Sequence, residues 1–106
     1  MPYKISDSKS GDTLYGRKVI NSIIVLAAQE IDGVAGMYGK GFRTEFAGTG
    51  VDVDVYIKVD AGISCPDVAF KVQENVKRNV ESMTTFRVGS INVNILGVSF
   101  KENPEA

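Results

Sequence analysis

The chemistry open to this chain is limited first by a missing residue type, since its 106 residues include no histidine. That removes the commonest general base and the commonest metal ligand together. A single cysteine, Cys65, stands beside Pro66 where a helix is expected to start, and a helix N-terminus favours the thiolate. With no histidine to activate it, Cys65 reads as a small residue packed beside Pro66, and catalysis by it is not expected. Asp52, Asp54, Asn92 and Asn94 form the other group of interest. An oxygen-only set suits Ca²⁺ or Mg²⁺. A sheet, however, holds side chains apart in rows instead of wrapping them around an ion, and polar alternation is the mark of a solvated face. No catalytic residue, metal site or cofactor is expected.

Two glycine-rich stretches could address phosphate. Gly39-Lys40-Gly41-Phe42-Arg43-Thr44 joins glycines to cations. It does not match the P-loop pattern, and it links two strands instead of opening a helix. Gly33-Val34-Ala35-Gly36 spells the GxxG that clamps a nucleic-acid backbone in KH domains. Here it leaves a helix and enters a strand, and helix capping accounts for Gly33. A KH-like nucleic-acid-binding module is the alternative reading of the chain. Its near-neutral charge, with 12 basic and 13 acidic side chains, argues against it.

The elements that must position these residues are organised around positions 51–83. Val51, Val53, Val55, Ile57 and Val59 alternate with Asp52, Asp54, Tyr56, Lys58 and Asp60, a half-buried strand. Ser64 and Asp67 then offer a variant capping box with Pro66 in the first turn. Val68, Val72, Val76, Val80 and Met83 follow on one helical face.

Upstream, the spacing predicts a first helix over 17–31, with Gly16 as N-cap and Tyr15 and Ile20 as a hydrophobic staple. Val19, Ile20, Ile23, Leu26, Ala27 and Ile31 form its broad apolar arc, and Gly33 follows as the C′ glycine. Arg17 and Lys18 at its start and Glu30 and Asp32 at its end oppose the macrodipole. A short strand is expected over 34–38, a glycine-rich connection over 39–50, and a last strand over 86–98.

The order α-β-β-α-β gives a two-layer α+β domain. Its mixed three-stranded sheet carries both helices on one face, with the last strand parallel to the long one. The open face then shows Asp52, Asp54, Tyr56, Asn92, Asn94 and Leu96. Phe70 projects from the outer side of the second helix and Val25 from the polar side of the first. Apolar residues set among polar ones suit protein contacts. The candidate interaction residues are therefore Tyr56, Phe70, Leu96, Val25, Arg17 and Lys18. Residues 1–14 read as a flexible arm with an extended piece over 3–5, residues 15–98 as the domain, and 99–106 as a polar tail. The longest apolar run, over 23–28, is far short of the roughly 20 residues of a spanning helix. With no signal-peptide core at the N-terminus, the chain reads as cytoplasmic.

Several of these stretches together resemble the alkaline shock protein family. The first block is Ala27-Ala28-Gln29-Glu30-Ile31-Asp32-Gly33-Val34-Ala35-Gly36-Met37. The second comprises VDVYIKVD over 53–60, Gly62-Ile63-Ser64 and Pro66-Asp67-Val68-Ala69, continued by Val72-Gln73-Glu74-Asn75-Val76-Lys77 with Val80, Met83 and Thr84. Ile91-Asn92-Val93 and Gly97-Val98 are similar to its closing strand. The resemblance implies a small cytoplasmic protein without catalytic residues, of a family chiefly from Gram-positive bacteria. Its roles there concern cell-envelope stress or lipid synthesis. It also implies a homo-oligomeric scaffold that reaches the membrane through an anchoring partner protein, without inserting into it. Arg17-Lys18 departs from the acidic start usual for the first helix, and Thr85 stands where glycine often follows the second.

Overall fold

The computed structural model describes residues 7–100, with side chains from residue 18 onward. Its elements are α1 (Asp7–Gln29), β1 (Val34–Ala47), β2 (Gly50–Asp60), α2 (Cys65–Met83) and β3 (Arg87–Ser99). The strands lie in the order β1-β2-β3, with β1 antiparallel and β3 parallel to β2. This is the two-layer α-β-β-α-β domain that the patterning implies. The extended piece expected over 3–5 lies outside the described residues, as does the tail expected over 99–106 apart from Ser99, which ends β3, and Phe100.

The core follows from two periods facing each other. Val51, Val53, Val55, Ile57 and Val59 on the central strand are all at most 2% exposed. Above them lie Val68, Val72, Val76 and Val80 of α2, and Ile20, Ile24, Ala27 and Ala28 of α1. Burying each valine or isoleucine fully contributes about 1.5–3 kcal/mol. Asn75 ties the helices together, its Nδ2 donating to the Ala27 carbonyl at 2.8 Å and to Glu30 Oε1 at 3.0 Å. One of the carbonyls orphaned at the end of α1 is thereby satisfied, and Glu30 has a local donor.

Several local expectations are corrected. Helix α1 starts at Asp7, ten residues before the expected start, so Tyr15 and Gly16 lie inside it instead of at N′ and N-cap. Arg17 and Lys18 therefore fall mid-helix, where the macrodipole has little hold. Val19 and Leu26 are exposed, at 47% and 62%, while Ile24 and Ala28 take their place in the core. On α2 the Ser64 side chain makes no capping bond, and the Ser64 carbonyl instead accepts from the Val68 N–H at 3.1 Å. Met83 is 64% exposed, because the helix stops before a further turn could be covered. Thr84 ends it: its Oγ1 donates to the Val80 carbonyl at 2.7 Å and accepts from the Phe86 N–H at 3.0 Å.

The largest difference is β1, which continues through the stretch read as a connection. Residues 38–41 stand opposite Tyr56 alone, a wide bulge between the Met37–Ile57 and Phe42–Val55 pairs. Gly39 and Gly41 supply the positive φ values, 62° and 92°, that let the strand leave and rejoin the ladder. The true turn is the two-residue Gly48-Thr49 between Ala47 and Gly50. A glycine of φ 62° at its first position suits the II′ geometry.

At the far end of α2, the Val88 N–H donates to Glu81 Oε2 at 2.9 Å, and Lys77 Nζ lies 3.4 Å from the same oxygen. The backbone bond first, and the lysine after it, hold the Glu81 carboxyl below its ordinary pKa. A depressed carboxylate pKa stabilises the fold fully above the unfolded value, about 4.3 for glutamate, and that contribution fades as pH falls through the folded value. The thermal midpoint of wild type should therefore drop more steeply than that of Glu81→Gln as pH falls from 5 to 3. Parallel curves for the two proteins would mean that the carboxylate contributes nothing.

Candidate interaction surfaces

The open face of the sheet has two ends of different character. At one end the polar side chains satisfy one another: Ser90 Oγ donates to Asp52 Oδ1 at 3.1 Å and Asn92 Nδ2 to Asp54 Oδ1 at 3.0 Å. Arg43 and Glu45 of β1 flank the same row, in register with Asp54 and Asp52. Gly89 is part of this construction, since a Cβ there would stand 2.7 Å from Asp52 Oδ1. Among the described residues, no three His, Cys, Asp or Glu side chains converge to hold a metal ion.

The other end carries more apolar area, around the exposed Lys58. Tyr56 is half-buried, and Leu96, the extra residue of a bulge in β3, is 51% exposed. Tyr38 joins them from the bulge of β1, its ring reaching across Lys58 to within 3.7 Å of the Cβ position at Gly97. Sequence patterning does not single out Tyr38, because the weak alternation of its strand ends there.

Phe70 is 56% exposed, but it sits on the outer side of α2, on the far side of the helix layer from Tyr56. The open sheet face and the outer side of α2 are thus two separate surfaces. Val25 is half-buried and lines a groove between α1 and edge strand β1 with Asn21, Ser22, Leu26 and Phe42. Asn21 Oδ1 is buried there without a hydrogen-bond partner. A polar residue next to the Ile20 and Ile24 stripe was the available signal for that groove. Lys18 is exposed, and the Arg17 side chain lies outside the described ones.

The remaining chemical candidates are used locally. Lys40 lies over the Phe42 ring at 5.4 Å, a cation–π contact within its own strand. Cys65 is a free, half-buried thiol at the start of α2. Gly33 of the GxxG sequence packs directly against Val68 and Ile63, and the motif joins a helix to a strand. RNA contacts through phosphate would produce affinity that falls steeply with salt. No such binding is expected at physiological salt, and a filter-binding titration showing a steep slope would revive the KH-like reading. No helix among the described residues is long and apolar enough to cross a membrane.

The model of the alkaline shock protein 23 family, described as of cell envelope-related function, matches residues 37–100. The uncharacterized protein YqhY of Bacillus subtilis (strain 168) is 34% identical over 110 aligned positions, covering 89% of this chain and 82% of that protein. A stress response regulator gls24 homolog of Streptococcus pyogenes serotype M3 is 30% identical over 113 positions, covering 91% of this chain but 63% of its own length. Among solved structures, a triple variant of the MamM CTD superposes with a TM-score of 0.57 at 24% identity, over 83% of this chain and 99% of that one. At that identity the likeness is one of fold.

Proposed function

Since the chain belongs to the alkaline shock protein 23 family, of cell envelope-related function, we propose that it serves the envelope as a non-enzymatic, self-associating scaffold. It works from the cytoplasm and binds protein partners, one of which holds it at the membrane. The observation that carries this reading is the division of the open face. Its polar groups are spent on one another, while Tyr38, Tyr56 and Leu96 present apolar area to solvent. Aromatic residues bordered by polar ones are the usual anchors of protein contacts. The stress response regulator relatives support a role in envelope stress.

The experiment is capture of partners from cytosolic and membrane fractions by wild type, Tyr56→Ala and Phe70→Ala, with protein-free liposomes as a control arm. Wild type should capture a membrane-fraction protein and stay in solution with liposomes alone. Tyr56→Ala and Phe70→Ala should weaken capture or self-association while melting within about 0.5 kcal/mol of wild type, as surface substitutions do. If both melt like core variants and keep wild-type capture, these side chains are structural. Tight binding to neutral vesicles without a partner would overturn the anchoring scheme.

A further inference from the structure

Strand β3 is one edge of the sheet, and its sequence is nearly its own mirror. Val88-Gly89-Ser90-Ile91-Asn92-Val93-Asn94-Ile95-Leu96-Gly97-Val98 reads alike in both directions about Val93, except for the Ser90 and Leu96 pair. It contains neither charge nor proline. Exposed edges are ordinarily blunted by charges, proline, bulges or short length. The opposite edge, β1, has Lys40, Arg43, Glu45 and its wide bulge. On β3 the register breaks fall only at Gly89 and Leu96, and the stretch between them pairs with β2 without interruption.

The outward side of that stretch is unfinished. The Ile91 carbonyl faces away from β2, since it accepts from Gln73 Nε2 at 2.9 Å. Strand alternation sends the N–H and C=O of Val93 and Ile95 the same way. The Val55 carbonyl agrees with this, because it faces β3 at the level of Asn94, whose Nδ2 also reaches it at 3.3 Å. Among the described residues nothing bonds the outward groups of Val93 and Ile95. Their side chains point to the helix face, yet Ile91, Val93 and Ile95 stay half-buried while Val53, Val55 and Ile57 beside them are at most 1% exposed.

We propose that a second copy of the chain adds its own β3 to this edge, antiparallel, about a two-fold axis through Val93. This rests on the self-association proposed above and names its surface. The axis sets Val93 opposite its symmetry mate, Ile91 opposite Ile95, Asn92 opposite Asn94, and Gly89 opposite Gly97. Only a strand that reads alike in both directions gives every one of those positions a matching partner, which singles out a second copy as the occupant. No like charges face each other, whereas pairing through β1 would bring charged side chains into the seam. The Ile91 carbonyl has a second lone pair for the partner, so Gln73 need not leave it. Because the axis is perpendicular to the sheet, the helices of both copies stay on one face. Phe70, one turn before Gln73, then lies near the level of the axis.

Sedimentation velocity on wild type and Val93→Lys, together with oxidative cross-linking of Val93→Cys in a Cys65→Ser background, tests this. Directly opposed residues of a hydrogen-bonded antiparallel pair lie about 5.5 Å apart at Cα, inside the disulfide range of about 4.4–6.8 Å. Wild type should sediment as a dimer or larger assembly of dimers, Val93→Lys should lose it, and Val93→Cys should cross-link to a covalent dimer. Glu45→Cys, on the β1 edge, should not. Wild type that assembles while Val93→Lys keeps the assembly and Val93→Cys fails to cross-link overturns the edge pairing and leaves self-association standing. A wild-type monomer overturns both, and leaves the edge to a strand from another protein. Should Val93→Lys fail to fold, the cross-linking pair decides alone.

Discussion

Ile57→Ala should lower the unfolding free energy by about 3–4 kcal/mol, within the range for large-to-small changes at sites that cannot collapse. Ile57 is fully buried on the middle strand, paired with Met37 on one side and Ile95 on the other. The helix layer closes over it, so neighbours in all directions are held by separate elements and cannot move in together. A domain of this size has about 5–15 kcal/mol in total, and each kcal/mol shifts the midpoint by roughly 4–8 °C. The melting temperature should therefore fall by more than about 12 °C. Val72→Ala, which removes less from the stripe of α2, should cost about 2 kcal/mol, and Leu96→Ala, exposed on the sheet, within about 0.5 kcal/mol. Urea unfolding of the three variants at one protein concentration checks the order. The fixed concentration matters because assembly makes the midpoint depend on it. An Ile57→Ala loss no larger than that of Leu96→Ala would contradict the packing described for the central strand.

The same residues show where sequence patterning suffices. Strand β2 and the valines of α2 are legible because each has one period and one alternative face, so a single reading satisfies the core. Positions 23–28 of α1 are apolar almost throughout, and there periodicity cannot choose a face. The neighbouring elements choose it, turning Ile24 and Ala28 inward and Leu26 out. The start of α1 carries few large apolar residues and two glycines, Gly11 and Gly16, so neither period nor propensity announces a helix. Each interior glycine opposes it by about 1 kcal/mol. The reading of β1 failed for the opposite reason. Glycines that usually end a strand here shape a bulge inside it, which only pairing with β2 makes worthwhile. Among the interaction candidates, alternation places Tyr56 and Leu96 on the open face. The helical period places Phe70 on the other side of the molecule, away from the valine stripe that covers the sheet.

Gly33→Ala should be among the most damaging glycine substitutions, for two separable reasons. The residue has φ 102°, beyond the small left-handed well that other residues visit, so any side chain adds backbone strain of roughly 1–2 kcal/mol. A Cβ would also lie 2.8 Å from Val68 Cγ2 and 3.1 Å from Ile63 Cγ2. Ile63 is 39% exposed and can swing away, but Val68 is only 3% exposed and anchors the first turn of α2. Pushing it aside should add about 1–3 kcal/mol, as overpacking does. The strand entry is bound up with the same residue, because the Gly33 carbonyl accepts from the Asp60 N–H at 2.8 Å. Gly48→Ala separates the two causes: it has a positive φ of 62° but nothing within 4 Å of its Cβ position. It should lose only the strain, about 1 kcal/mol, against about 3 kcal/mol for Gly33→Ala. In a double-mutant cycle, Gly33→Ala combined with Val68→Ala should cost less than the sum of the two, since removing the valine methyl relieves the contact. Additive losses, or a Gly33→Ala that melts with Gly48→Ala, would show that backbone conformation alone holds glycine at this position.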